Sequence, residues 1–410
     1  MTLTGVRGLI RPLLLPTLAF VVACGGGPPD PAIHGSPSAP SDGGSSAPAT
    51  PVPIPKHEVY GFLPYWEMDA DIADHLTETD LTTLALFSVT HRRSGELATN
   101  QNGYRRITGA VGERVIREAQ ERGMRVELTY TSFGAQKNTR FYTEPEAQAR
   151  WIGELVDLVE SLGLDGVNVD VEGLPAAHVL DYGTFVGELR SALRDRIPDA
   201  QVSVATQGNR RGAAMAAAAA AAGADRIFLM GYDYHWEGSG PGASAPIDRY
   251  DGDEADLVWS MDLYAALGVP VDRTILGLPL YGMTWPVEGP DIGAFAMGRG
   301  NEWVPRLNLR VFQAPDFEPL YEPVESVEFY SVQRPIGVVG AAGAATVEPD
   351  DAGQWHAVYY DSPRSLAPKL ALADERGLAG AGFWAIGYER GLPGYGDLIS
   401  TFRSGQLTVP

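Results

Sequence analysis

Asn168, Asp170 and Glu172 alternate with Val167, Val169 and Val171 in the stretch Leu164 to Gly173. In an extended chain that alternation sends the three polar side chains to one face, about 6.6 Å apart, and the valines to the other. Two ionised carboxyls placed side by side repel each other, so one of them should hold a proton near neutral pH. A carboxyl kept protonated is a general acid. The competing reading is a strand whose acids line a solvated rim. Turning an amide and two acids into a protein core, however, costs stability unless something offsets it.

The elements that must position these groups follow from the rest of the chain. Its 410 residues are 44% hydrophobic and 20% charged, enough for a sizeable core and too long for one ordinary small domain. From Glu58 onward, short β-branched or aromatic runs alternate with helical stretches, as βαβ units do around a parallel sheet. Eight strands are expected, at Val59 to Pro64, Thr83 to Ser88, Arg125 to Thr131, Gly166 to Glu172, Gln201 to Thr206, Arg226 to Tyr232, Ile275 to Leu280 and Gly380 to Ile386. Between them Glu113 to Arg122, Ala147 to Leu162, Tyr182 to Arg196, Ala213 to Ala222 and Ser365 to Arg376 are read as helices. The fold class is therefore α/β, a (β/α)8 TIM barrel. Residues 281 to 379 far exceed one helix and two turns, and the excess, about 285 to 354, is read as a small α+β insertion between strands 7 and 8. Such an insertion leaves and returns at the barrel mouth, where barrel active sites are built, and should wall one side of the cleft.

Composition narrows the chemistry. A formal net charge of −21 repels nucleic acid and anionic lipid and favours neutral substrates. The single cysteine, Cys24, leaves no disulfide framework or Cys-based metal site, and the seven histidines form no HExxH motif. No GxGxxG follows the first strand, and neither GxxxxGK[ST] nor GxSxG occurs, so no dinucleotide, P-loop or nucleophile-elbow chemistry is expected. No cofactor and no metal are expected.

The stretch Asp165-Gly166-Val167-Asn168-Val169-Asp170-Val171-Glu172 resembles the DGxxxDxE signature of glycoside hydrolase family 18, the chitinase family. Met230-Gly231-Tyr232-Asp233 is similar to the family's MxYD, and Gly380-Ala381-Gly382-Phe383-Trp384 to its last-strand Trp segment. Pro279-Leu280-Tyr281-Gly282 and Tyr359-Tyr360-Asp361-Ser362, with Ser365 and Lys369, are typical in kind. The resemblance covers about Glu58 to Arg403. It implies that Glu172 protonates the leaving glycosidic oxygen and that Asp170 orients and charges the substrate's own N-acetyl group, whose oxygen attacks the anomeric carbon. It further implies that Tyr232 hydrogen-bonds that acetamido group with Asp233 alongside, and that Trp384 forms the floor under the sugar. Strand-end closure for Tyr232 and Asp233, and core packing for Trp384, are the bland readings. Tyr281 and Trp285 are candidates to line the cleft, with simple packing an equal reading.

Asn168 stands where the best-known chitinases carry a further Asp. That is similar to the di-N-acetylchitobiase branch and the bacterial spore-cortex and peptidoglycan-acting branch. The implied partner is an N-acetylglucosamine-containing glycan cut at β-1,4 links by a monomer, with chitin, chito-oligosaccharide, peptidoglycan and N-glycan cores all open. The alternative is a lectin-like lipoprotein that binds glycan without turnover.

Residues 1–23 carry Arg7 and Arg11 and then an apolar run from Leu13 to Ala23, too short to span a bilayer, and read as an export signal. Val21-Val22-Ala23-Cys24 resembles the lipobox of bacterial lipoproteins, in which the cysteine is lipidated. Gly25 after it looks like an outer-membrane sorting signal. Of the 33 residues from Gly25 to His57, 20 are Pro, Gly or Ser, a solvated tether. The expected organisation is a signal peptide at 1–23, lipidated Cys24 and linker at 24–57, and a catalytic barrel at 58–403. The expected location is the outer membrane or cell surface, held there through Cys24 only.

Overall fold

The computed structural model describes residues 56–249, 255–333, 337–339, 345–347 and 353–408. The expected signal peptide, Cys24 and nearly all of the expected linker lie outside the described residues. Seven strands open the fold: β1 (Glu58–Pro64), β2 (Thr83–Val89), β3 (Arg125–Phe133), β4 (Gly166–Glu172), β5 (Gln201–Gln207), β6 (Arg226–Met230) and β7 (Thr274–Pro279). Seven more build a separate sheet: β8 (Gly282–Val287), β9 (Asn301–Trp303), β10 (Leu320–Glu322), β11 (Val327–Val332), β12 (Gly337–Val339), β13 (Ala345–Val347) and β14 (Trp355–Tyr360). The chain then returns as β15 (Gly380–Trp384). Strands β1 to β7 and β15 close into a parallel barrel in the order β1-β15-β7-β6-β5-β4-β3-β2. Each of the eight segments expected from the sequence is a strand of this barrel, in the expected order.

The alternation on β4 divides its side chains as its spacing requires. Val167, Val169 and Val171 are buried in one apolar cluster with Leu155, Val159, Tyr182, Phe185 and Leu189 of the outer helices. Burying each such side chain stabilises the fold by about 1.5–3 kcal/mol. The helix Pro145–Leu162 behind β4 starts with proline in its first turn and stops at Gly163, whose φ of 64° supplies the left-handed cap.

A second apolar cluster fills the lumen, including Tyr60, Phe62, Ala85, Phe87, Phe228 and Ile275. Phe228 fits only because its neighbours on β7 and β15 lack side chains. A Cβ at Gly277 would lie 2.3 Å from its ring, and one at Gly382 would lie 2.6 Å away.

One side of the lumen floor is polar. Glu127 on β3 accepts hydrogen bonds from Tyr60 Oη (2.7 Å) and Ser203 Oγ (2.5 Å), and Asn168 Nδ2 donates to Ser203 Oγ (2.8 Å). Burial pushes the Glu127 carboxyl from 4.5 up to about 7, against the pull of those hydrogen bonds. Between these two values the folded chain binds more protons than the unfolded chain, so stability falls as pH rises through that window. The shift corresponds to about 3 kcal/mol. Glu127→Gln should flatten this part of the stability curve in urea titrations run from pH 4.5 to 7. An unchanged slope would assign the effect to other groups.

The inserted sheet is antiparallel, in the order β10-β11-β14-β8-β9-β12-β13. It begins at Gly282, paired with Tyr360, so it takes in residues on both sides of the segment 285–354. A short helix, Leu309–Phe312, makes it α+β among the described residues. A buried ion pair anchors its far end: Lys369 and Ser365, on the helix Pro363–Glu375, both donate to Asp361 Oδ1 just beyond β14. Ser362 and Ser365 cap that helix reciprocally.

Candidate active site

A cavity of about 800 Å³ opens at the carboxyl ends of the barrel strands, lined among others by Asp170, Glu172, Tyr232, Asp233, Tyr281 and Trp384. Six of the residues singled out from the sequence therefore meet in one place. Two do not reach it. Asn168 is fully buried beneath Asp170, bonded to Ser203, so it serves the lumen floor and not the cavity wall. Trp285 is also fully buried, stacked edge-on against Tyr359 at 6.1 Å, with the Gly300 backbone closed over its indole. It shares a face of β8 with the lining residue Met283, but two residues farther along the strand it lies outside the cavity lining, against Tyr359 and Gly300.

The acid pair sits at the base of this cavity. Asp170 is 5% exposed, and its Oδ1 has no hydrogen-bond partner among the described residues. Burial, then the neighbouring Glu172, raises its carboxyl well above the usual range. Glu172 is raised by burial and then by Asp233, while a hydrogen bond from Gln207 Nε2 to Glu172 Oε2 (3.1 Å) pulls it back. The two carboxyls titrate as a pair, and the pair retains a proton where isolated carboxyls would be ionised.

Gln207 is a site residue that the sequence reading missed. Its inward direction follows from the same alternation on β5 that turns Ser203 and Ala205 inward. Its own amide oxygen accepts from Asn209 Nδ2 at 3.1 Å, and Asn209 caps the helix Arg210–Ala221 by accepting from the backbone of Arg211 and Gly212. A helix start thus fixes the donor that faces the candidate acid.

Tyr232 and Asp233 follow β6. Asp233 adopts a φ of 61°, uncommon for a residue with a side chain but tolerated by Asp. That turn is held on both sides: the Asp233 N–H donates to Ser244 Oγ at 3.0 Å, and the Tyr281 hydroxyl donates to Asp233 Oδ1. Desolvation in the cleft raises the Asp233 carboxyl, and the Tyr281 bond opposes the rise. Tyr232 packs edge-on to Tyr281 at 6.1 Å. Burial and then Asp170, Asp233 and Glu172 push its phenol well above its ordinary value, which leaves it a neutral hydrogen-bond donor.

Aromatic rings make the apolar wall. Trp384 meets Phe87 edge-on at 4.7 Å and Trp66 at 6.3 Å, and rests on Phe62 at 5.7 Å. The inserted sheet contributes Met283 and Glu302 to the lining. Glu302, on β9, is pushed up to about 8 by burial and then by Asp233, against a hydrogen bond from Tyr388. Among the described residues no group of three or more His, Cys, Asp or Glu is arranged to hold a metal ion.

The chain is similar to known proteins in sequence and in fold. A Bacillus subtilis relative named for a sporulation-specific glycosylase is 26% identical over 268 residues, 63% of this chain and 56% of its own length. Di-N-acetylchitobiase of Mus musculus is 25% identical over 263 residues, 59% of this chain and 66% of its own. The chain thus spans somewhat over half the length of these curated relatives. The family 18 chitinase of Cycas revoluta, solved with (GlcNAc)3, superposes with a TM-score of 0.67 at 17% identity, covering 86% of this chain and 100% of its own. The Bacillus cereus spore cortex-lytic enzyme SleL gives 0.62 at 17% identity, over 86% of this chain and 75% of its own. The sequence model of glycosyl hydrolases family 18 matches residues 59–389, from the first barrel strand to the loop beyond the last and through every cavity residue named above, and on that match the chain belongs to this family.

Proposed function

We propose that the chain is a retaining glycosidase that hydrolyses β-1,4 links next to N-acetylglucosamine, using the substrate's acetamido group as nucleophile. The observation that carries this reading is the placing of two neighbouring acids, buried Asp170 and half-buried Glu172, at the base of an aromatic cavity. Glu172 gives its proton to the glycosidic oxygen as the bond from the anomeric carbon to that oxygen breaks. The acetamido oxygen closes onto the anomeric carbon, and positive charge develops on the acetamido nitrogen beside Asp170. Tyr232 donates a hydrogen bond to the same group. Water then attacks the anomeric carbon, giving a proton back to Glu172, and the ring opens.

The names of the relatives support the substrate class: one is a di-N-acetylchitobiase, and a solved family member holds (GlcNAc)3. A glycan-binding protein without turnover would have no use for two neighbouring acids, one of them buried, that repel each other. Incubation with N-acetylglucosamine tetramers should give shorter N-acetylated fragments. No cleavage of any N-acetylated β-1,4 glycan would contradict the reading.

The lipobox-like Val21-Val22-Ala23-Cys24 and the Pro/Gly/Ser-rich tether support a surface lipoprotein. Cys24→Ala should release the protein from membranes, because acyl chains supply the anchoring and the linker has little apolar surface to replace them. Retention of the variant in the membrane fraction after a carbonate wash would disprove anchoring through Cys24.

A further inference from the structure

A second cavity, of about 550 Å³, adjoins the first and has the opposite character. Tyr65, Trp66, Asn102, Arg105 and Arg106 line it, and Tyr65 and Trp66 line the large cavity as well. The two rings pack edge-on at 4.9 Å and form the wall between the cavities. Trp66 is fixed from behind by the bond from its Nε1 to the Tyr388 hydroxyl at 3.1 Å.

The arginines lie in the last turn of the helix Asn102–Ile107. That helix is seated tightly on the end of β2: a Cβ at Gly103 would lie 2.1 Å from the Ser88 carbonyl oxygen. Among the described residues neither arginine forms an ion pair with a carboxylate, and the side-chain hydrogen bond the two make is from Arg105 Nη2 to Asn102 Oδ1 at 2.8 Å. This is unexpected in a chain of net charge −21. The large cavity is lined by five carboxyl groups, on Asp170, Glu172, Asp233, Glu237 and Glu302. An anionic glycan is therefore unwelcome along the catalytic cleft and welcome just past Trp66. A neutral glycan can accept hydrogen bonds from these guanidinium groups but leaves their charge uncompensated, whereas a planar carboxylate matches both the charge and the fork of donors.

We propose that this second cavity binds a carboxylate carried by the glycan, so that the substrate is an acidic N-acetylated polymer whose charged unit sits beyond Trp66. The inference rests on the glycosidase reading and names the substrate class of that cleft. A sugar passing over Trp66 places its substituent between Arg105 and Arg106, while its neighbour, which is uncharged, occupies the acid-lined cavity.

The test uses the full chain carrying Glu172→Gln, so that ligand is held and not cut. Binding is measured by calorimetry for three probes: a tetrasaccharide alternating N-acetylglucosamine with its 3-O-lactyl form, the methyl ester of that compound, and the neutral N-acetylglucosamine tetramer. The free acid should bind about fivefold more tightly than its ester at low ionic strength, the size expected for exposed guanidinium contacts, and the preference should shrink as salt is added. Adding Arg105→Gln and Arg106→Gln should erase the preference, with thermal melts checking that the fold is kept. A uronate-bearing oligosaccharide showing the same arginine dependence would support the site and move the carboxylate from the lactyl arm to the sugar ring. Equal binding of acid and ester, or a preference that survives the double substitution, would overturn the proposal. Turnover of the acidic and the neutral tetrasaccharides by the unsubstituted chain is measured in parallel. Turnover without an acid preference removes this site and keeps the glycosidase; an acid preference without turnover does the reverse.

Discussion

Glu172→Gln should lower kcat by about 10² to 10⁴, the usual contribution of a positioned general acid, while leaving the fold intact. The amide has nearly the volume of the carboxyl and can still contact Gln207, so the loss should fall on kcat and spare KM. The same substitution should remove the alkaline limb of the pH profile. Burial and the Asp233 charge raise the Glu172 carboxyl, so activity in the unsubstituted chain should persist above the ordinary carboxyl range and fall as the pair gives up its proton. Near-normal turnover of the variant on N-acetylglucosamine oligosaccharides would take Glu172 out of the reaction.

Asp170→Asn is the second large loss expected, about 10² to 10³ in kcat, the cost of removing a group aimed at charge that develops in the transition state. A neutral amide cannot stabilise positive charge on the acetamido nitrogen. Asp170 meets the solvent little, and its Oδ1 lacks a partner among the described residues, so this side chain is left available for the substrate. The loss should shrink on a substrate whose acetamido group is replaced by hydroxyl, already a poor one. An equal proportional loss on both substrates would assign Asp170 a role other than handling the acetamido group.

The barrel was legible because its signals are local. The run Gly166 to Glu172 carries its own alternation, and β1 to β7 and β15 are short apolar runs bounded by turns and helices. The acid pair and Tyr232 lie on or just beyond such strands, so their convergence follows from barrel geometry. The inserted sheet depends instead on distant pairing. Gly282 meets Tyr360 and Thr284 meets Val358, far apart in the chain, and β9 is three residues long. Nothing nearby in the sequence places Glu302 against the cleft or closes Gly300 over Trp285. Asn168 illustrates a different limit: alternation gave its inward direction correctly but not its depth, and one layer below Asp170 it meets Ser203 and not the cavity. Gln207 was readable by the rule applied to β4 and carried no motif to draw attention to it.

In the proposed reaction the substrate's acetamido group, and no protein side chain, attacks the anomeric carbon. Proton NMR of the first products from an N-acetylglucosamine oligosaccharide tests it most directly when paired with a thiazoline mimic of the cyclised intermediate. Attack by the acetamido oxygen and then by water inverts the centre twice, so the new reducing end should appear first as the β anomer, and the thiazoline should inhibit. Initial formation of the α anomer, or full activity in saturating thiazoline, would contradict the account.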